Sequence, residues 1–424
     1  MYKGLQPKFV KRYKETGGRT YVGGEHIYIA DSAGNRILDG MSGLWCTNLG
    51  YSQDSIKTAV ADQLERLPFY NSFFNCTTDA TIRLCQQLSQ IFPEDFNHFF
   101  LTNSGSEAND TNIRLVHRYF DLIDKPDKKL IISRKNAYHG STIAAASLGG
   151  MKGMHDQFTR LHYVHHIEQP YSFELADNQT PDEFGKQYAN KLADKIDELG
   201  ADNVAAFIAE PVQGAGGVII PPASYWPEID LICKQRGILL ISDEVICAYG
   251  RLGAMFGSER LGYQPDIITS AKGLTSGYAP LGAMLVSDRL AEPFDGTGEQ
   301  FLHGYTFAGH PVSCAVALAN LDIFEKEDVC GHVVSNELAF RSALDDLADL
   351  PIVGDVRGMG YFYGIELVKD RDSKESFSAE ESERLIRGFL SLRLAELGLI
   401  CRADSRGEPV IQLAPPLIAG PDEF

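Results

Sequence analysis

Six short apolar runs constrain the fold of this chain more than any other feature of its sequence. Each run is apolar at successive positions rather than at alternating ones, as expected of strands that are covered on both faces of a parallel sheet. Parallel strands require crossover connections, which are usually helical. The runs therefore predict an α/β fold with a mostly parallel sheet. They are His98–Leu101, Leu130–Ile132, Val204–Ala209, Ile238–Ser242, Ile267–Ser270 and Ala283–Val286.

Different patterns flank this central part. Near the N-terminus, two strand-like segments on either side of a turn at 31–35 predict a hairpin. An amphipathic helix is expected to follow from Asp54. After Pro311, strands and helices follow one another without strict alternation, which predicts a smaller α+β domain. The expected elements are strands Ile27–Ala30, Arg36–Leu38, Val353–Arg357, Tyr363–Leu367, Leu399–Arg402 and Val410–Leu413, with helices from Pro311 and over Ala379–Leu397.

Composition excludes several classes of protein. Lys plus Arg number 39 and Asp plus Glu 57, and the resulting net charge of −18 argues against a general binder of polyanions. No apolar run approaches the roughly 18 residues that cross a bilayer. Eight cysteines without a Cys-x-x-Cys pair indicate a reducing compartment, so we expect a cytoplasmic protein. The basic segment before Lys14 leaves a mitochondrial leader as the alternative.

The segments that follow the predicted strands contain the chemically informative residues. Ser104, Gly105 and Ser106 open a helix after the first run, and free amides at a helix N-terminus favour an anion such as phosphate. The alternative is a simple N-cap. Asp243 and Glu244 end another strand, where they could also serve as metal ligands or a helix cap.

Two further segments complete this group. Lys272 follows a buried strand and small residues surround it, so burial could make it a usable amine nucleophile. Tyr138 lies in the segment 136–142, which could cover a flat ligand. A phosphate cradle, a carboxylate, an aromatic ring and a lysine are thus expected at one edge of one sheet.

Seven ordered segments resemble class III aminotransferases, and most closely the amine–pyruvate (omega-amino acid–pyruvate) transaminases. The resemblance covers roughly Gly24 to Leu417. It implies a pyridoxal-phosphate enzyme of fold type I, with a large, mostly parallel sheet of the seven-stranded type flanked by helices and a small α+β domain from both chain ends. The segments are Leu38–Trp45, Thr102–Asn109, Tyr138–Gly140, Glu210–Gly214, Asp243–Val245, Ser270–Leu274 and Thr306–Pro311.

The resemblance implies the cofactor, pyridoxal 5'-phosphate, and the residues that hold it. Lys272 would form the Schiff base with the cofactor aldehyde and later move the substrate proton, while Asp243 would pair with the pyridine nitrogen. The phosphate loop would be Ser104, Gly105 and Ser106, with Thr306 added by a partner subunit. Tyr138 and Val245 would sandwich the ring, with His139 and Glu210 nearby.

Substrate residues are also implied. Arg402 would bind the carboxylate of pyruvate, although an exposed arginine at a strand end is the alternative. Trp45, Phe73 and Tyr138 would form the apolar wall, unless Trp45 and Phe73 are core residues. Ala215 stands where ornithine- and GABA-type relatives carry a glutamate, and this difference favours the amine–pyruvate branch.

The implied function is the transfer of an amino group from a primary amine or omega-amino acid to pyruvate, which gives alanine and an aldehyde or ketone. A polyamine donor such as putrescine is the alternative, followed by an aminomutase, a racemase or a decarboxylase. A nicotinamide oxidoreductase is disfavoured because no G-x-G-x-x-G turn follows a strand. The resemblance also implies a homodimer or dimer of dimers, with active sites at the subunit interface.

Domain bounds and metal binding complete the expectations. Residues 1–45 and 311–424 would form the small domain, and 46–310 the large cofactor-binding domain. The small domain is expected to be truncated, because the chain stops at Phe424, where a closing helix of the family would begin. His162, His165 and His166 have roughly metal-like spacing, but we expect them in a loop and predict no metal site.

Overall fold

Three β-sheets organise the computed structural model, which describes residues 11, 19–93, 95–176, 178–405 and 409–424. The strands in these residues are β1 Tyr21–Glu25, β2 Tyr28–Asp31, β3 Arg36–Asp39, β4 His98–Thr102, β5 Leu130–Arg134, β6 Val164–Ile167, β7 Val204–Ala209, β8 Leu239–Asp243, β9 Ile267–Ser270, β10 Gly282–Val286, β11 Val353–Met359, β12 Phe362–Leu367, β13 Leu399–Ile400, β14 Arg402–Ser405 and β15 Pro409–Leu413.

The central sheet has seven strands in the order β4-β10-β9-β8-β7-β5-β6. Strands β9, β8, β7, β5 and β6 pair in parallel, whereas β10 is antiparallel to both of its neighbours. All six residues of β7 are buried, because helices cover the sheet on both faces. The predicted large and mostly parallel sheet is confirmed, and each of the six apolar runs overlaps a strand of it.

Two details of this sheet differ from the expectation. The apolar run at 283–286 was expected to be parallel, but β10 runs antiparallel, since only a short connection with a 3₁₀ turn separates it from β9 and leaves no room for a crossover helix. The expected loop around His165 and His166 is wrong as well. Both residues belong to edge strand β6, whose polar, partly exposed positions hide it from an apolar-run search.

The helices occupy the intervals between the strands. Those predicted from Asp54 and from Pro311 are confirmed, and the expected helix at 379–397 contains a π-helical centre. The helices are Ser42–Trp45, Asp54–Arg66, Asp79–Ile91, Gly105–Leu122, Ile143–Leu148, Lys152–His155, Pro181–Leu199, Tyr225–Arg236, Gly257–Leu261, Asp288–Thr297, Pro311–Lys326, Val329–Asp345, Ala379–Ser382 and Ser391–Glu396, with 3₁₀ turns Ser172–Glu174, Lys272–Thr275 and Pro421–Glu423 and the π-helix Glu383–Leu390.

Two four-stranded sheets lie outside the central one. The first has the order β1-β2-β3-β13, in which β13 pairs in parallel with β3 and so joins the two ends of the chain. The second has the order β11-β12-β15-β14 and is antiparallel. This arrangement agrees with a small domain built from both chain ends, while the domain bounds 1–45, 46–310 and 311–424 stay predictions.

A buried arginine connects these parts. Arg251 donates hydrogen bonds to Ser42 Oγ and Asn48 Oδ1 at 3.0 Å each, and to the carbonyl oxygens of Tyr361 and Pro415. Burial lowers its pKa to about 10. The side chain thereby fixes the N-terminal segment against the C-terminal one.

Among the described residues, no helix is long and apolar enough to span a bilayer.

Candidate active site

Five strands of the central sheet deliver side chains to one cavity of about 480 Å³. Each functional residue lies at the carboxyl end of its strand or shortly after it, the edge at which open α/β sheets bind ligands. The residues lining this inner cavity include predicted cofactor residues Ser104, Gly105, Ser106, Tyr138, His139, Glu210, Asp243, Val245 and Lys272, together with Cys46, Asn103, Gly140, Ile246, Cys247, Ala271, Thr275, Gly277, Ala279, Pro280 and Leu281.

Lys272 begins the 3₁₀ turn after β9 and is partly buried. Its backbone has φ +43°, a left-handed conformation that is uncommon for any residue except glycine. Burial lowers the pKa of its amine, while the nearby charge of Asp243 acts in the opposite direction. The lowered pKa increases the fraction of neutral amine, which is the nucleophilic form.

Three hydrogen bonds hold the buried carboxylate of Asp243 in place. Its Oδ2 accepts from His139 Nδ1 at 2.7 Å and from Asn109 Nδ2 at 2.8 Å. Its Oδ1 accepts from the backbone amide of Val245 at 3.1 Å. The Nε2 atom of His139 lies 3.2 Å from Ser133 Oγ, so the ring is fixed at both nitrogens. The carboxylate therefore presents a fixed negative group to the cavity.

Asn109 is a positioning residue that sequence reasoning missed. Besides Asp243, its side chain donates to the carbonyl of His139 at 2.7 Å and accepts from Thr269 and Asn112. All of these groups are buried. The signal that could have found it is the pair of amides at positions i and i+3 on the buried face of the helix Gly105–Leu122.

The neighbouring acid, Glu244, points away from the cavity. Its carboxylate accepts from the backbone amides of Gly257 and Ser258, at the start of the helix Gly257–Leu261. Burial raises its pKa. Glu244 therefore caps a helix, which is one of the alternatives that the sequence left open for the two carboxylates. Asp243 instead lies in the cavity.

The predicted phosphate loop starts the 18-residue helix Gly105–Leu122. Ser104 is its N-cap and accepts from the amide of Glu107 at 3.2 Å, while Ser106 Oγ accepts from the amide of Ser141 at 3.1 Å. A Cβ on Gly105 would lie 2.7 Å from Val245, so only glycine fits there. Both hydroxyls line the cavity and still have a proton to donate, so the loop fits a phosphate group.

Glu210 lines the cavity and binds the backbone of the segment that carries Tyr138. Its carboxylate accepts from the amides of Tyr138 at 3.1 Å and Gly214 at 2.9 Å. Burial raises its pKa. The acid thereby holds the segment that carries the half-buried tyrosine, which lines this cavity and a second one outside it.

This outer cavity, of about 970 Å³, shares Tyr138 and Lys272 with the inner cavity. Predicted substrate residues Trp45 and Ala215 line it as well. Arg402 is buried rather than exposed, and its Nη1 donates to the carbonyl of Ala215 at 3.0 Å. Its guanidinium carbon lies 5.1 Å from the centre of the Trp45 ring, and Lys272 Nζ lies 5.5 Å from the same centre. The structure therefore brings the lysine and this arginine to one aromatic ring.

Three predicted residues, Phe73, Arg402 and Thr306, line neither cavity of this chain. Phe73 is partly exposed, and its ring contacts the loop at Gly304. Thr306 is exposed two residues further along the same loop. Sequence reasoning missed several residues of the outer cavity because short helices, loops and a π-helix supply them. These are Leu44, Ser141, Met151, Lys152, Gly153, Met154, Asp156, Gln157 and Arg387.

The family profile described as aminotransferase class-III matches residues 12–423. The chain belongs to this family. Among its relatives, a probable aminotransferase of Mycobacterium tuberculosis is 47% identical over 410 residues, which cover 95% of this chain and 86% of the relative. A putrescine–pyruvate aminotransferase of Pseudomonas aeruginosa is 44% identical over 416 residues, which cover 98% and 90%.

Solved structures agree with the assignment of this chain to the class III aminotransferases. A thermostable (S)-enantioselective omega-transaminase from Thermomicrobium roseum superposes with a TM-score of 0.93 at 39% identity, over 98% of this chain and 91% of that one. An omega-transaminase from Pseudomonas jessenii in complex with PMP gives a TM-score of 0.92 at 38% identity, over 97% and 91%. The predicted family and fold type are thus confirmed.

The aminotransferase uses pyridoxal 5'-phosphate, as its family does. The donor set fits this group, since a helix N-terminus with two hydroxyls, a fixed carboxylate and a buried amine surround one cavity. The described residues contain no cluster of three or more His, Cys, Asp or Glu side chains that could hold a metal ion. His166 instead contacts the carbonyl oxygens of Leu148 and Gly149 through Nε2.

Proposed function

We propose that this aminotransferase moves the amino group of a primary amine or omega-amino acid to pyruvate, giving alanine and an aldehyde or ketone. The observation that carries the proposal is the position of Arg402 and Lys272 over the same Trp45 ring. A guanidinium that contacts the same ring as the reactive amine suits a short 2-oxo acid, whose carboxylate lies beside its carbonyl. The omega-transaminase structures and the putrescine–pyruvate relative support the same assignment.

Six residues of the inner cavity have a proposed task. The cofactor, when bound, supplies an electron sink for the pair left by removal of the substrate Cα proton. Ser104, Ser106 and the helix N-terminus would bind its phosphate, and Asp243 would keep its ring nitrogen protonated. Lys272 would first hold the cofactor and then, as a neutral amine, take the Cα proton and return it. Tyr138 and Val245 would contact the ring.

A diamine such as putrescine is a second candidate donor. The specific observation in its favour is Asp156, an acid that lines the outer cavity and could accept from a distal ammonium group. The 44% identical relative is a putrescine–pyruvate aminotransferase. Asp156 already accepts from Lys152 at 2.8 Å, however, and a diamine would have to displace that lysine.

We further propose that the active form is a homodimer or a dimer of such dimers. Phe73 and Thr306 lie outside the cavities of their own chain, on segments that contact each other. These segments expose apolar groups, including Phe74 at 92% and Leu302 at 79%. Covering them with a second copy would remove apolar surface from water and bring Thr306 to the partner's phosphate loop.

The cysteines of the described residues are all unbridged, which fits the proposed cytoplasmic location.

The direct test is to incubate the enzyme with a chiral primary amine and pyruvate and to measure alanine. We expect alanine to form in proportion to the amine consumed. Substitution Arg402→Ala should raise the KM for pyruvate by roughly 10- to 100-fold, since a charged hydrogen-bonded pair is lost. Transfer to 2-oxoglutarate or glyoxylate but not to pyruvate would contradict the proposed acceptor.

A further inference from the structure

We infer that Arg387 forms a second carboxylate-binding subsite at the outer cavity, and that this subsite receives the distal carboxylate of omega-amino acid donors. The inference rests on the proposed function and adds the substrate class that the outer cavity selects. Arg387 lies outside the seven segments from which the active site was predicted. It is assigned to the site because it lines the outer cavity.

The backbone that carries Arg387 is unusual. Residues 379–396 form one helical segment, but its central part, Glu383–Leu390, is a π-helix. A π-helical turn is rare and frequently occurs at functional sites. The π-helix packs on β14, the strand that begins with Arg402. In the described residues Arg387 lines the cavity, whereas Arg384, three positions earlier in the same π-helix, does not. Local geometry thus directs one of two neighbouring arginines to the site.

The charges around the outer cavity favour an anion. Its acid, Asp156, accepts from Lys152 at 2.8 Å, so these two groups largely compensate each other. Arg387 is also ion-paired, with its Nε 3.5 Å from Glu383, but this carboxylate does not line the cavity. The chain as a whole carries a net charge of −18, so a cation at this position opposes the general charge of the protein. A guanidinium is the cationic side chain best suited to bind a carboxylate with two parallel hydrogen bonds.

The two arginines have different surroundings. Arg402 and Lys272 contact the same Trp45 ring, so we assign to Arg402 a carboxylate next to the reacting carbon. Arg387 lies elsewhere on the lining of the same cavity as Lys272, together with the apolar side chains of Met151 and Met154. An apolar lining accommodates methylene groups, and a guanidinium accommodates the charged end of the chain. This combination fits an amine separated from its carboxylate by several carbons.

The test compares two donors of equal chain length, 6-aminohexanoate and hexylamine, with pyruvate as the acceptor. In the holoenzyme, Arg387→Leu should lower kcat/KM for 6-aminohexanoate by roughly 10- to 100-fold, through loss of a charge-assisted pair. The value for hexylamine and the KM for pyruvate should change less than about twofold, since neither requires Arg387. Arg384→Leu, which removes the same charge from the same π-helix, should leave kcat/KM for both donors unchanged.

Two further variants sharpen the test. Arg387→Lys should retain part of the activity with 6-aminohexanoate, because charge remains while the two-pronged geometry is lost. For 1,6-diaminohexane, Arg387→Leu should raise kcat/KM, since a repulsive cation is removed. Equal losses for 6-aminohexanoate and hexylamine, or no loss for either, would overturn the subsite. If the unmodified enzyme made no alanine from any of these amines, the proposed function itself would fail, and that result is distinct from loss of discrimination.

Discussion

The inner and the outer cavity meet at Lys272 and Tyr138 but are built in different ways. The inner cavity takes its functional groups from residues that follow strands of one sheet, and its acids are buried and hydrogen-bonded to backbone amides. The outer cavity takes its groups from short helices, loops and a π-helix far apart in the sequence. Its charged residues Lys152 and Asp156 are mostly exposed. We therefore expect the rigid sheet edge to fix the chemistry and the adaptable segments to select the donor.

This difference predicts how substitutions act. Changes in the inner cavity should reduce turnover with every donor, because every donor uses the same cofactor. Changes in the outer cavity should alter the ranking of donors while cofactor binding stays intact. The comparison fails if an inner substitution affects one donor selectively, or if an outer substitution removes the cofactor.

The largest effect is expected at Lys272. Lys272→Ala removes the group that we propose to hold the cofactor and move the proton, so alanine formation should fall by about 10⁴-fold or more with every amine. Lys234→Ala, at an exposed lysine of the helix Tyr225–Arg236, is the matched control and should keep full activity. Steady-state alanine production measures both. Substantial turnover by the Lys272 variant would contradict the assigned role.

Two adjacent buried acids provide the next test. Asp243→Asn removes the charge that faces the cavity and should lower kcat by roughly 10²- to 10³-fold with all donors. Glu244→Gln removes the acid that binds the helix Gly257–Leu261. It should lower the melting temperature, while the kcat of the folded protein stays within about threefold. Similar kinetic losses in both variants would show that the two acids are not separated in function.

A pH effect should distinguish Lys272 from exposed lysines. Burial lowers the pKa of Lys272 in the folded protein, so the unfolded chain binds more protons in the interval below its ordinary value of about 10.4. The stability contributed by this group is present above the unfolded pKa and is lost as the pH falls through the folded pKa. In cofactor-free protein, the free energy of unfolding should therefore rise with pH over this interval, by at most about 1.4 kcal/mol per pH unit.

Urea unfolding at several pH values measures this slope. Lys272→Met should reduce the slope, because the substituted side chain binds no proton. The exposed Lys152, replaced in the same way, should leave it unchanged. An identical slope in the Lys272 variant and the parent protein would contradict the lowered pKa.

The smallest effect is expected in the outer cavity. Met154→Ala removes part of its apolar lining and should raise the KM for aliphatic amines by about three- to tenfold, which corresponds to the transfer of one or two methylene groups. The visible absorbance of the bound cofactor should stay the same. A variant that loses the cofactor would show that the two cavities are not independent.

The contrast also explains what the sequence could predict. Asp243 and Lys272 follow continuous apolar runs, and buried strands are the elements that such runs indicate most clearly. Asn109 was missed because it lies on a helix and its partners, Asp243 and Thr269, lie on strands β8 and β9, which meet it only after folding. Arg387 could not be predicted, because a π-helical turn within an ordinary amphipathic pattern leaves no signal in the residue spacing.

Edge and connection effects account for the remaining differences. Strand β6 lies at the edge of the sheet and pairs only with β5. It contains the polar residues His165 and His166, so the search for apolar runs did not find it. The direction of β10 depends on the length of the connection after Lys272, and an apolar run carries no information about direction. Both features arise from the assembly of the sheet rather than from local residue preferences.

The central claim is that Lys272 is the residue that holds the cofactor. Borohydride reduction of the yellow holoenzyme, followed by proteolysis and mass spectrometry, tests it most directly. We expect the colour to be bleached and the mass of the reduced cofactor to be found on the peptide containing Lys272. A colourless protein that gains no colour with added pyridoxal 5'-phosphate, or a label on any other lysine, would contradict the account.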